Sequence, residues 1–438
     1  MRATVLGGAL SWTVPSFLAE TFHALEAAAA DARTQQPTGK DATILVVVQL
    51  AGGNDGLNTL VPHANDEYYR ARPKLAIRPG DVLKLNDDFG LHPTLTGLKS
   101  LWDEGRLAVV QGVGYPNPNR SHFRSTEIWQ TASEADRFER HGWLGRYFDN
   151  ACPGRDATAG VSLGRQMPQA FAGPQPIGVC LESPERFRAF DADPSSSREG
   201  DADDFYRRLN QADASMASDA AEMANAGSSI GAVAGHAATG ISPLDFLERV
   251  ALDAQASSDT IRALSQRGRN QATYPVGQLA ADLRLVARLI AGGMTTRVYY
   301  VSQGGYDTHT NQAGAHQRLL SEMGGAVKAF LEDLTAQGNE RRVMLMTFSE
   351  FGRRVAENAN GGTDHGAAAP MFLAGGALKN GLLGKAPSLA ASDLLNGDPR
   401  YTTDFRRVYA SVLESWLRTP SAPILGRKFE PLPLLAGA

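Results

Sequence analysis

The sequence predicts an α/β fold, a mostly parallel central sheet with helices on both faces. Strand-length apolar runs recur at 44–50, 107–113, 298–302 and 343–348. Such near-continuous apolar strands are what a sheet buried on both faces requires. Amphipathic stretches separate them, and this alternation argues for helical crossovers. Three of the runs end in Gly-rich loops carrying Asp, Glu or His, and open α/β sheets place their chemistry at such strand ends.

Taken in order, residues 1–30 hold a single arginine (Arg2), a mildly apolar run and small residues. This resembles an export signal of the twin-arginine kind, with an amphipathic helix as the alternative. Residues 1–40 are read as signal remnant and linker, and 41–438 as the α/β domain. The first strand, 44–50, leads into Gly52-Gly53-Asn54-Asp55-Gly56, where glycine permits positive φ and close backbone approach. His92 before Pro93 reads as structural. Leu95, Leu98 and Leu101 have helical spacing. The 107–113 strand feeds a loop with Arg120, Ser121, His122 and Arg124, followed by a helix starting near Ser121 or Ser125. Ser121 is either a helix cap or a functional hydroxyl. The arginines suit sulfate or phosphate oxygens.

His141 is expected in a loop or cap. Residues 184–275 are Ala/Ser/Asp-rich and poor in large apolar groups. They read as an insertion outside the sheet core, suited to capping a site, with His236 not catalytic. Residues 276–291 form an amphipathic helix feeding the 298–302 strand. Asp307 and His309 follow it, then a helix over 313–335 with His316 expected at the surface. The 343–348 strand delivers Glu350, Arg353, Asp364 and His365 before a second apolar run at 371–374. A final helix is expected over 403–417, capped by Thr402 or Thr403.

Net charge is −4 and no long basic run exists, which argues against nucleic acid as a partner. Beyond the N-terminal run, no stretch approaches the ~20 apolar residues of a membrane span. Cys152 and Cys180 have no metal-binding spacing and leave a disulfide open. Oligomeric state is not legible. Asp55, Asp307, His309, Glu350, Asp364 and His365 are candidate ligands for a divalent metal, because such cations let carboxylates and imidazoles converge. A metal-held Ser121 would lose its proton more easily and could attack an ester.

The strings VVVQLAGGNDGLNTLVP, VVQGVGYPNPNRSHFRSTEIWQTA, YYVSQGGYDTHTNQ and LMTFSEFGRRVAENANGGTDHGAAAPMFLAGG resemble the bacterial family called domain of unknown function 1501. The resemblance spans about Thr43 to Leu417, and it implies export. That family is in turn similar to the alkaline phosphatase and sulfatase superfamily. This distant similarity implies metal ligation at Asp55, Asp307, His309 and His365, with Ser121 in the nucleophile's place. It sets Glu350 where an aspartate belongs and Phe351 where a histidine ligand is expected. The Asp307–His309 spacing of two also departs from the usual four. These departures leave zinc, calcium, magnesium and manganese, or a single ion, all open.

The leading expectation is an exported metal-dependent hydrolase of phosphate or sulfate esters. Ser121 would be the nucleophile. Arg120, His122, Arg124 and Arg353 would bind the anionic ester substrate, with Asp364 a ligand or an orienter of one. The alternative is a non-catalytic exported protein on the same fold, holding a metal or binding a glycan or partner.

Overall fold

The computed structural model describes residues 42–152, 157–174, 177–182 and 259–436. Its main sheet runs, in spatial order, Gly381–Leu383, Leu107–Gly114, Ala369–Ala374, Val343–Phe348, Ile44–Leu50, Val298–Gln303, Gly160–Leu163 and Val179–Leu181. Thr403–Asp404 adds to the end of Leu107–Gly114. The expected mostly parallel sheet is present. Ala369–Ala374 alone runs antiparallel to both neighbours. It is reached from Val343–Phe348 through the short hairpin Arg353–Glu357 and Thr363–His365, which leaves no length for a helical crossover. The two short strands at Gly160 and Val179 lie in runs too brief to separate from loop by periodicity.

Alternation along Ile44–Leu50 divides the core. Ile44, Val46, Val48 and Leu50 pack in one buried cluster with apolar residues of helices Thr96–Asp103, Gln278–Ala291 and Gln312–Ala336. Leu45 and Val47 belong to the opposite cluster, with helices His122–Thr131, Trp143–Ala151 and Phe405–Ser411. The period-two geometry of a strand makes this split unavoidable.

The helix expected over 403–417 starts two residues later and changes character midway. It spans Phe405–Ser411, continues as a π turn over Val412–Trp416, and is capped by Asp404, whose carboxylate accepts from the Arg406 amide. Thr403 is committed to the sheet instead. Residues 1–41, with the signal reading, and 183–258, the bulk of the insertion including His236, lie outside the described residues. The tail of the expected insertion does pack on the core. Ile261 is fully buried. Asp333 accepts hydrogen bonds from Asn270, Gln271, Ala272 and Tyr274. Cys152 and Cys180 form no disulfide. Among the described residues no helix is long and apolar enough to cross a membrane.

The adjacent parallel strands Val343–Phe348, Ile44–Leu50 and Val298–Gln303 bring their C-terminal ends together. Beneath the loops there lies a buried polar layer. His316, expected at the surface, is 2% exposed. It donates from Nε2 to Asn54 Oδ1 at 2.9 Å. Its ring lies edge-on to His92, centroids 6.1 Å apart. Burial depresses both imidazoles to about 4, against the pull of Asp55. His316 is also opposed by the positive charge of Arg72 and Arg353.

Unfolded histidine titrates near 6.5, so on acidification the unfolded chain takes up these protons first. The stabilisation is therefore full above about pH 6.5 and is lost as pH falls toward 4. Thermal midpoints should fall steadily across that window. The His316→Gln variant, which keeps a donor for Asn54, should show a shallower fall. Parallel curves would show that His316 is not part of the acid response.

Candidate metal centre

The site is assembled from three connections. The loop after Val298–Gln303 carries Asp307 and His309. The hairpin carries Asp364 and His365. Helix His122–Thr131 presents His122 at its first position. That helix is held by Trp129, which stacks on Phe348 and Phe405 with centroids 5.5 and 4.4 Å away. Ser125 Oγ also donates to the Glu350 carbonyl. The glycine loop is pressed into the same assembly. Gly52 has φ +118°, and a Cβ there would sit 2.4 Å from the Asp307 amide nitrogen.

The Nε2 atoms of His122, His309 and His365 lie 3.4, 3.0 and 3.2 Å from the Asp307 carboxylate. His309 Nε2 is also 3.0 Å from His365 Nε2. Each ring faces an acceptor through Nδ1. His122 Nδ1 lies 2.8 Å from Glu350 Oε1. His365 Nδ1 lies 2.9 Å from the Arg120 carbonyl. His309 Nδ1 lies 3.4 Å from Asp364 Oδ1. Carbonyls and carboxylates only accept, so these contacts place the ring proton on Nδ1.

In the neutral rings, the Nε2 lone pairs then converge on a carboxylate. Without a cation between them these groups repel one another. Holding one ring nitrogen on an outer acceptor is how metal-binding histidines are oriented. His122, Asp307 and His365 have ligand atoms close enough to share one ion, and His309 adjoins them. This donor set fits a divalent metal.

Burial works to raise the Asp307 carboxyl, but the hydrogen bond and positive charge of Arg353 prevail and hold it at about 2. Burial depresses His365, against the opposing pull of the Asp307 carboxylate and of its bond to the Arg120 carbonyl. At neutral pH the cluster therefore contains an ionised carboxylate and an uncharged His365, the protonation states a metal requires. The Asn358 hydrogen bond, with His309, holds Asp364 below its usual range.

The sequence-predicted residues divide into those the fold brings together and those it does not. Asp307, His309 and His365 meet. His122, expected to bind substrate, faces Asp307 as a fourth donor. Glu350 sits one step outward: it is 2% exposed, and Oε1 also accepts from the Gly52 amide at 2.8 Å. Asp364 likewise stands behind His309. Asp55 does not reach the cluster, because its carboxylate pairs with the buried Arg72 at 2.6 Å and accepts from Gln312.

Ser121 is exposed and N-caps its helix without a side-chain capping bond. It lies between Arg120, whose carbonyl holds His365, and His122. Arg120 Nε and Nη2 bind Asp398. Arg124 is occupied by Glu127 and by the carbonyls of Glu134, Ala135 and Arg137. Arg353 is buried on Asp307 and on the carbonyls of Gly52, Gly53, Tyr306 and Thr363. It is a brace, its side chain 0% exposed and so out of reach of substrate. Phe351 forms the floor, its ring centroid 4.9 and 4.5 Å from those of His122 and His365. Sequence reasoning missed Arg72, the partner of Asp55, and the bracing role of Arg353.

Fold and site together define an α/β protein with a three-histidine, one-carboxylate candidate metal centre. The chain belongs to the family described as "Protein of unknown function (DUF1501)", whose model matches residues 42–424. Comparison with curated proteins finds no match. Among solved structures it is similar to Ps i-CgsB in complex with k-i-k-neocarrahexaose, with 8% identity and a TM-score of 0.33 over 89% of this chain and 73% of that one. It is also similar to the lipoteichoic acid synthase LtaP from Listeria monocytogenes, at 9% identity and TM-score 0.32, over 84% and 76% of the two chains. A third is the PsFucS1 sulfatase from Pseudoalteromonas sp., at 9% and 0.32, over 90% and 75%. Likeness at this level carries no inference about chemistry.

Two substitutions separate brace from ligand. Asp55→Asn strands the Arg72 charge and should cost about 3–5 kcal/mol of stability, while metal per folded molecule stays unchanged. His365→Ala should abolish metal retention at a smaller cost in stability. Denaturant unfolding and elemental mass spectrometry read the two effects. Metal loss in Asp55→Asn would return that residue to the coordination sphere.

Proposed function

We propose that this protein is an exported, metal-dependent hydrolase of phosphate or sulfate esters, with His122, Asp307, His309 and His365 holding one divalent ion. The observation that carries the proposal is the convergence of three imidazole Nε2 atoms on one carboxylate, with the exposed Ser121 next to His122 in the chain. Three nitrogens and one carboxylate favour zinc or another transition metal, manganese included, over calcium or magnesium. The site is thus less oxygen-rich than its sequence implies. When bound, such an ion supplies positive charge that polarises an ester oxygen and eases loss of a proton from a nearby hydroxyl.

The chain's own residues supply the rest. Glu350, Asp364 and the Arg120 carbonyl fix the imidazoles. Ser121 Oγ attacks the central phosphorus or sulfur, forming a Ser–O–P or Ser–O–S bond as the ester oxygen leaves as an alcohol with a proton. Water then cleaves the serine ester, releasing phosphate or sulfate and restoring the hydroxyl. Arg120 is the guanidinium available to the anionic oxygens: Nε and Nη2 are taken by Asp398, Nη1 has no hydrogen bond, and the side chain is 36% exposed. The insertion at 184–275 would act as a cap, and export rests on the character of residues 1–30.

A second reading is a non-catalytic metal-binding protein. It is favoured by the engagement of Arg124 and Arg353 and by the Phe351 floor, which offers no ligand.

The zinc- and manganese-loaded protein should hydrolyse p-nitrophenyl phosphate or p-nitrophenyl sulfate. Ser121→Ala should retain the metal and lose turnover by at least about a hundredfold. Retained metal with no turnover of either ester in the wild type would favour the binding protein. Undiminished turnover in Ser121→Ala would remove the serine from the chemistry.

A further inference from the structure

We infer that Phe123 is the surface on which the alcohol part of the ester rests, and that the substrates are esters of alcohols carrying a ring with an apolar face. The inference rests on the proposed hydrolase reading and adds to it the class of alcohol.

Among the described residues five large apolar side chains are exposed: Phe123, Phe138, Met167, Val276 and Leu395. Scattered exposed apolar residues are ordinary in themselves, but the placement of Phe123 sets it apart. It is 91% exposed and directly follows His122, so the two Cα atoms are about 3.8 Å apart. The other exposed aromatic, Phe138, already has a partner, because the Arg124 guanidinium lies 4.2 Å from its ring centroid.

Ser121, His122 and Phe123 open the helix in that order. Successive positions around a helix are about 100° apart. Ser121 and Phe123 therefore stand on opposite flanks of His122, whose ring faces Asp307. Displacement at phosphorus or sulfur holds the attacking and leaving oxygens roughly in line. With Ser121 attacking from one flank, the alcohol departs toward the other, where the Phe123 ring stands. Helical side chains lean toward the N-terminus of their helix, which inclines this ring toward the rim of the cluster. That rim is open, since the side chains of Asp307 and His309 are 47% and 41% exposed.

The turn that presents the ring is fixed. The Ser121 amide donates to Asn119 Oδ1 at 2.8 Å, and the Tyr115 and Ser125 hydroxyls are hydrogen-bonded at 2.7 Å. A platform held in this way needs little ordering on binding. Phenylalanine offers a flat apolar face and no polar handle, so it favours a ring that can pack against it. The ester of a short open-chain alcohol would leave that face uncovered.

Calorimetric titration of the zinc-loaded full chain with methyl-, phenyl- and cyclohexylphosphonate tests this without requiring turnover, because the carbon substituent stands where the alcohol would. Phenylphosphonate should bind at least about fivefold more tightly than methylphosphonate. Phe123→Ala should abolish that preference with metal content unchanged, and Phe123→Tyr should keep it. Substitution at so exposed a position leaves folding intact. An equal preference for the cyclohexyl compound assigns saturated rings such as sugars, and its absence assigns aryl alcohols. Equal binding of the methyl and phenyl compounds, or a preference that survives Phe123→Ala, would overturn the inference alone. Failure of all three to bind the metal-loaded protein would overturn the hydrolase reading and this inference with it.

Discussion

The arrangement of the site depends on one buried guanidinium. Arg353 donates to the carbonyls of Gly52 and Gly53 after one strand, of Tyr306 after the next, and of Thr363 on the far arm of its hairpin, and it also binds Asp307. A charge in this interior is tolerable only when it is paired and hydrogen-bonded. That requirement works in both directions: Arg353 is stable there because three loops surround it, and the loops hold their shape because Arg353 needs them. Gly52 and Gly53 make the approach possible, since a Cβ at Gly53 would meet the Phe351 ring at 2.4 Å.

Around this brace the ionisable groups form shells. Asp307 and three imidazoles face one another, and Glu350, Asp364 and the Arg120 carbonyl stand behind the imidazoles. Below lies a separate layer in which Arg72 neutralises Asp55, Gln312 also donates to Asp55, and His316 donates to Asn54, while Asn54 Nδ2 and Asp55 Oδ1 have no hydrogen-bond partner. The division is electrostatic. Asp55 pairs with a buried guanidinium inside its own layer, whereas Asp307 faces three imidazole nitrogens as well as one guanidinium. A cation added between the imidazoles and Asp307 removes the repulsion that the fold builds in.

Much of the fold is legible from apolar runs and helical spacing, because a sheet buried on both faces leaves a strong pattern. The direction of Ala369–Ala374 is not, since an apolar run reads the same either way and only the hairpin length decides it. Asp307, His309 and His365 are legible because they sit directly after strands. That His122 faces Asp307 is not legible, because its ring direction is set by helix packing through Trp129. The pairing of Asp55 with Arg72 is not legible, because Arg72 lies at the end of a separate short helix outside any motif. Arg353 is read as a substrate ligand because its partners are mostly backbone carbonyls, which carry no sequence signature.

The central claim is that His122, Asp307, His309 and His365 surround one metal ion. X-ray absorption spectroscopy of the zinc-loaded protein tests it most directly. The expected spectrum shows about four nitrogen or oxygen neighbours near 2.0–2.1 Å, no sulfur, and the outer-shell scattering of imidazole. An all-oxygen shell without imidazole scattering, or zinc lost on simple desalting, would contradict it.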